Sequence, residues 1–283
     1  MVDPPSPPGP PAPVWRSPIV VKRCRHGVFN FFVADTHVGR ALGLYGEYSE
    51  SEVMLFQQLL TPGAVVVEAG ANIGALTVPI ANRVGPTGRV MAYEPQAALA
   101  DLLARTATAN ALGQIEVRHA ALGAQPGTTV VPRVNYLASG NFGSVGLGGA
   151  EGLTVPVETL DDLGLARLDL IKVDVEGMEL EVLAGATVSI RRLRPMLYLE
   201  NDRAERSRAL ILALDDLGYR AWWHFAGLFN PANYFGNPEN VFPDMLSVNL
   251  LCFPREWDMT VTNGIPVLGP DDDWESARRR GQA

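Results

Sequence analysis

Cysteine is nearly absent from this 283-residue chain: Cys24 and Cys252 stand far apart, with neither CxxC nor Cys/His ligand spacing. That excludes a disulfide framework and a zinc site, and leaves two reduced thiols in or near strands. Long apolar runs are missing as well, since none reaches the roughly 18 residues needed to span a bilayer. Residues Met1 to Pro13 are proline-rich and lack the basic and apolar regions of a secretion signal. A cytoplasmic location and no membrane partner are therefore expected. Positive charge is scarce, with 23 Lys and Arg against 31 Asp and Glu and a formal charge of −8. Phosphate backbones need clustered cations, so nucleic acid is excluded as a partner.

What the chain does have is 47% hydrophobic residues, enough for one substantial core. The proline run predicts a disordered leader over 1–14, because proline removes donors and fixes φ. Residues 15–62 read as two strands around a turn at His26-Gly27, followed by a helix over 49–60 opened by a Ser49/Glu52 capping box. From 63 to 256 short apolar runs alternate with helical segments. The strands fall at 65–67, 89–93, 115–119, 168–173, 196–199 and 221–223, and helices follow the first, second, fourth and fifth. That alternation predicts an α/β fold with a mainly parallel sheet covered on both faces. A glycine-rich stretch at about 123–160 interrupts it and predicts an inserted hairpin or mobile loop. Residues 257–283 read as a polar tail or terminal helix.

The sharpest local pattern is Val66-Val67-Glu68-Ala69-Gly70-Ala71-Asn72-Ile73-Gly74: an apolar strand, an acid, then GxxxG opening a helix. Glycines here let the backbone approach a ligand, and a helix start offers free N–H groups. The GxGxxG of a pyrophosphate site is missing, which counts against a nicotinamide oxidoreductase. An acid in its place suits a cationic ligand such as S-adenosylmethionine. A second strand then ends in Glu94-Pro95, where a nucleoside-binding α/β fold puts a carboxylate for the ribose hydroxyls.

A second pattern lies about 100 residues on: Leu170-Ile171-Lys172-Val173-Asp174-Val175-Glu176-Gly177-Met178-Glu179, then Val182-Leu183-Ala184-Gly185-Ala186. This strand ending in DxEGxE and its VLxGA helix resemble the FkbM family of methyltransferases. The resemblance extends over roughly 29–254, including Tyr45-Gly46-Glu47-Tyr48-Ser49-Glu50 and Asn237-Pro238-Glu239-Asn240. It implies a Rossmann-like class I methyltransferase fold, S-adenosylmethionine as donor, and O-methylation of a sugar or other secondary-metabolite hydroxyl. It also implies that Glu68, Gly70, Asn72 and Glu94 line the cofactor, with Asp174 and Glu176 near the reacting centre. Ala71, Gly74 and Pro95 complete the expected cofactor set, to which Asp174 also belongs.

A hydroxyl acceptor must lose a proton, so a base is expected. Asp174, at the carboxyl end of its strand, is the first candidate, and His224 is the alternative because imidazole titrates near neutrality. Glu200-Asn201 ends the next strand. Asp174, Glu200 and Asn201 together resemble the acid, acid-Asn set of catechol-type methyltransferases and would suit Mg²⁺, or simply bind substrate. Tyr45 and Tyr48 are candidates for a lid over the substrate. The expected partner is a small molecule or glycan, with a homodimer as a further expectation. An N-methyltransferase and a non-catalytic S-adenosylmethionine-binding module are the alternatives carried forward.

Overall fold

The computed structural model describes residues 18–259, 261–262 and 264–282. The leader expected at 1–14 lies outside them. The chain runs β1 (Ile19–Cys24), β2 (Gly27–Phe32), α1 (Val38–Tyr45), α2 (Glu50–Leu59), β3 (Val65–Ala69), α3 (Thr77–Val84), β4 (Arg89–Tyr93), α4 (Ala97–Ala109) and β5 (Ile115–Arg118). The interrupting stretch contributes β6 (Ala121–Leu122), β7 (Gly127–Val131) and β8 (Leu153–Glu158). Then come β9 (Leu170–Val173), α5 (Glu179–Ala184), α6 (Thr187–Leu193), β10 (Met196–Glu200), α7 (Ala204–Asp216), β11 (Tyr219–Gly227), β12 (Leu246–Pro254), β13 (Ile265–Pro266) and α8 (Trp274–Gln282).

The main sheet has eight strands in the order β13-β11-β12-β10-β9-β3-β4-β5. The run from β10 to β5 is parallel, whereas β12 is antiparallel to both of its neighbours. Alternation splits each central strand between two cores. Val66 and Val90 face the core made with α2 and α3, and Val67, Met91, Ile171 and Val173 face the core made with α5, α6 and α7. A sheet buried on both sides explains why these strands read as continuous apolar runs. This doubly wound layering is the Rossmann-like arrangement that the resemblance implied. Winding reverses between β3 and β9, and open α/β sheets bind ligands outside the strands' carboxyl ends at such a switch point.

Several local expectations are corrected. The helix after the glycine turn starts at Thr77 rather than within GxxxG, because Asn72 and Gly74 hold positive φ of 53° and 88°. The helix expected after the DxEGxE strand starts only at Glu179, because Glu176 and Gly177, at φ 57° and 94°, turn the chain away from β9 first. Ser49 lies at φ 46°, and its hydroxyl bonds the Glu52 carboxylate instead of capping backbone N–H groups. Strand β11 has nine residues where three were expected, and α1 and β12 were not anticipated. The interrupting stretch forms the antiparallel pair β7/β8, whose long connection folds back toward the sheet's carboxyl edge. Among the described residues no helix is long and apolar enough to cross a membrane.

Candidate active site

The carboxyl ends of β4, β3, β9 and β10 open into a groove with two connected arms of about 460 and 1170 Å³, counting their open mouths. Gly70, Glu94, Gly143, Asp174 and Glu176 border both arms.

The turn after β3 sets one wall. Gly70 sits at φ 81°, and a Cβ there would overlap the backbone carbonyl of Asp174 on the neighbouring strand, so only glycine lets β3 and β9 close up. The N–H groups of Gly70 and Ala71 both donate to Tyr93 O at 3.0 Å, tying this turn to the end of β4. Glu94, 4% exposed, accepts from the Asn72 N–H through Oε2 and from the Gln96 N–H through Oε1, each at 2.8 Å. Burial raises its carboxyl to about 7, against the pull of those two N–H groups. Pro95, Gln96 and the Ala120 to Leu122 stretch complete the narrower arm with Met178.

Beneath the groove lies a buried ionic layer that the sequence did not announce. Lys172, 3% exposed in its side chain, holds Nζ 3.5 Å from Glu68 Oε1 and 3.4 Å from Asp174 Oδ2. Burial opposes its charge, but Asp174, Glu68 and Glu52 outweigh that and raise its pKa. Glu68 accepts a second bond from Thr77 Oγ1 at 2.7 Å, so both its oxygens are engaged within the protein. Asp174 differs from its neighbours in being open, with 42% of its side chain exposed in the groove.

The wider arm is acidic. Asp174, Glu176 and Glu200 each bring one carboxylate oxygen within 4.8 Å of the others. Burial raises Glu176 to about 7, helped by Asp174 and opposed by Arg203, whose guanidinium lies 2.6 Å away. Burial also raises Glu200, to about 10, with Asp174, Asp202 and Glu176 adding repulsion. Glu200 Oε2 is buried with no partner among the described residues, and so is Nδ2 of Asn249, its register partner on β12. His37, Tyr48, Asn141, Ser144 and Ser247 add hydrogen-bonding groups to this arm.

The groove therefore gathers Glu68, Gly70, Ala71, Asn72, Glu94, Pro95, Asp174, Glu176, Glu200 and Tyr48. It does not gather four other candidates. Tyr45 is fully buried, its hydroxyl donating to Glu239 O and accepting from Val241 N–H, so it anchors the 228–242 loop. His224 lies outside the groove lining, bonded through Nδ1 to Tyr198 OH at 2.7 Å, and burial lowers its pKa. Asn201 turns into α7 and donates to Ser207 Oγ at 2.9 Å, so the acid, acid-Asn set proposed for Mg²⁺ is not assembled. Gly74 is needed for its φ and its contact with Leu103 and does not border the groove. Sequence reasoning missed Lys172, Gln96 and Asp202, whereas the loop bearing Asn141 to Leu147 falls within the glycine-rich insert that the sequence marked at about 123–160. Its Phe142 packs on Phe32, and Phe142 O accepts from Gln96 Nε2.

A donor bearing a ribose, an ammonium and a sulfonium fits this chemistry. Glu94 keeps free lone pairs toward a diol. Among the described residues the only lysine or arginine in the lining is Lys172, already paired, so a pyrophosphate would find no free counter-ion. Comparison with known proteins agrees in class. Residues 68–221 match the methyltransferase FkbM domain. The methyltransferase sdnD of Sordaria araneosa is 32% identical over 198 residues, which is 56% of this chain and 76% of that protein. Among solved structures, a methyltransferase FkbM from Methylobacillus flagellatus superposes with a TM-score of 0.42 at 17% identity, covering 72% of this chain and 51% of that one. A SAM-dependent O-methyltransferase from Thermotoga maritima gives 0.47 at 12% identity, covering 86% and 80%. Likenesses that loose say nothing of the acceptor.

Proposed function

This chain belongs to the FkbM family of methyltransferases, and from that premise we propose that it is an O-methyltransferase acting on a hydroxyl of a polar small molecule. Methyl transfer from S-adenosylmethionine follows from the family. The acceptor atom is the step beyond it, and the exposed Asp174 carboxylate at the junction of the two arms carries that step.

When bound, S-adenosylmethionine supplies a methyl group on a sulfonium that is already a good leaving group. The chain's own task is to hold an oxygen in line, exclude water and remove a proton. Glu94 would hold the ribose hydroxyls, and the Gly70 to Asn72 turn would offer its backbone to the nucleoside. Asp174 accepts the hydroxyl proton as the oxygen attacks, and Lys172 from below keeps that carboxylate oriented. The loop around Gly143 roofs both arms and limits water. Alignment of the two reactants supplies on the order of 7–11 kcal/mol of the barrier, and a placed base about 10²–10⁴ in rate.

The test is methyl transfer from labelled S-adenosylmethionine to a panel of hydroxylated small molecules. Asp174→Asn is expected to lower turnover by roughly 10²–10⁴, with affinity for S-adenosylhomocysteine changed only a few-fold. Turnover that survives Asp174→Asn points to a neutral amine as acceptor, which needs little help from a base. Tight donor binding with no turnover of any acceptor points to a non-catalytic binding module.

A further inference from the structure

We propose that the acceptor carries a protonated amine near the hydroxyl that is methylated, and that Glu176, Glu200 and Asp202 receive this ammonium. This rests on the O-methyltransfer reading and deepens it. In the sheet order β4-β3-β9-β10, Glu94 and Glu200 end strands three spacings apart, roughly 14 Å at about 4.8 Å per strand. The donor's ribose would be held by Glu94 at the end of β4, and Asp174, the proposed general base, follows β9. Glu200 and Asp202 border only the wider arm, on the side of Asp174 away from Glu94.

The acidic lining of that arm selects its guest, because an entering cation lets its crowded carboxyls give up the protons they hold in the ligand-free protein. Asp174, Glu176, Glu200 and Asp202 border it, whereas no arginine does among the described residues. Lys172 is held by Glu68 and Asp174, and burial lowers the pKa of His37. Arg203 pairs with Glu176 beside this arm, so a phosphorylated or carboxylated acceptor would meet mainly acidic groups whose nearest cations are already taken. One carboxylate oxygen from each of Asp174, Glu176 and Glu200 lies within 4.8 Å of the others, close enough for one ammonium to reach them together, since N–H bonds of about 2.8–2.9 Å at tetrahedral angles span acceptors up to about 4.6 Å apart. A second observation is that Glu200 Oε2, on the lining of that arm, is buried with no partner among the described residues, so the end of β10 offers a guest an oxygen that the protein itself leaves unused.

An ammonium has no lone pair to methylate, so the methyl group goes to the neighbouring hydroxyl. The C–O bond forms as the S–CH₃ bond breaks, S-adenosylhomocysteine leaves, and the hydroxyl proton passes to Asp174 and on to solvent.

The test uses the full chain saturated with S-adenosylhomocysteine. Calorimetry follows binding of methyl 2-amino-2-deoxyglucoside, its N-acetyl derivative, methyl glucoside and methyl glucuronide, and labelled S-adenosylmethionine reports methylation of each. The amino compound is expected to bind at least tenfold more tightly than the others and to be methylated on oxygen. Glu200→Gln and Asp202→Asn are expected to cut that preference to about twofold while leaving S-adenosylhomocysteine affinity unchanged. Equal or better binding of a neutral or anionic compound, or binding of none, overturns the proposal. So does loss of S-adenosylhomocysteine binding in Glu200→Gln, which would assign the carboxylates to the donor's own ammonium. Micromolar binding of MgCl₂ that disappears in Glu200→Gln would make the cluster a metal site and equally overturn it. Failure of the wild-type chain to bind S-adenosylhomocysteine at all strikes the methyl-donor reading itself, which separates the two failures.

Discussion

Truncating Glu94 should cost donor affinity by an amount the structure lets one work out. Each carboxylate oxygen already accepts one backbone N–H, from Asn72 or Gln96, and keeps lone pairs facing the narrower arm. Two hydrogen bonds from ribose hydroxyls to a charged acceptor contribute about 1.5–3 kcal/mol each when lost one at a time, although such losses are not additive. In Glu94→Ala the two N–H groups also lose their acceptor, and the Asn72 turn they fix relaxes. A total near 3–4 kcal/mol corresponds to a Kd for S-adenosylhomocysteine raised by roughly 10²–10³. Glu94→Gln retains one carbonyl oxygen but turns an NH₂ against a backbone N–H, so about tenfold is expected. Calorimetry on both variants measures these numbers, with circular dichroism to verify folding. The wild-type titration carries an independent signature. Burial raises Glu94 to about 7, and ribose hydroxyls donate best to the ionised form, so binding near pH 6.5 should release protons and weaken as pH falls. Buffers of different ionisation enthalpy reveal that release. A folded Glu94→Ala variant that binds within twofold of wild type would refute the reasoning.

Three further outcomes follow from the ionic layer and the turn. Lys172→Met leaves Glu68 and Glu52 buried without their cation, a loss on the order of 3–5 kcal/mol that should lower Tm by roughly 10 °C. Unchanged thermal melting would show the layer to be unimportant. Gly70→Ala forces a Cβ onto the Asp174 carbonyl at a left-handed φ, so donor binding should vanish even where far-UV circular dichroism stays native. Finally, the raised carboxyl of Glu200 makes the native state hold a proton that the unfolded chain has released. Above pH 7, beyond the histidine range, stability of the ligand-free protein should then fall as pH rises toward about 10. The slope approaches about 1.4 kcal/mol per pH unit. Urea unfolding between pH 7 and 8.5 measures it, and Glu200→Gln should flatten it.

The parallel core was legible because strands buried on both faces are written as runs such as Val65-Val66-Val67, broken by glycine turns. The elements that escaped have weak local signals. Helix α1 contains Gly39 and Gly43, which lower helix propensity, and it stands because Ala41, Leu42 and Tyr45 are buried against other segments. Strand β12 has only a short unbroken apolar run, Leu250 to Phe253, which periodicity alone does not distinguish from a buried helix. At the site, acids next to glycines at strand ends were visible. Their final directions were not: Asn201 and Tyr45 turn away because Ser207 and the 239–241 backbone offer buried partners distant from the motif. Lys172 was passed over because it sits inside an apolar strand, and its partners Glu52 and Glu68 lie far earlier in the chain.

The most direct measurement of the central claim is a crystal structure of the protein with S-adenosylhomocysteine. The account requires the ribose hydroxyls on Glu94, the nucleoside along the narrower arm, and the sulfur beside Asp174 with the wider arm left open to an acceptor. A ligand bound elsewhere, or bound in the groove with Glu94 free of the ribose, would contradict it.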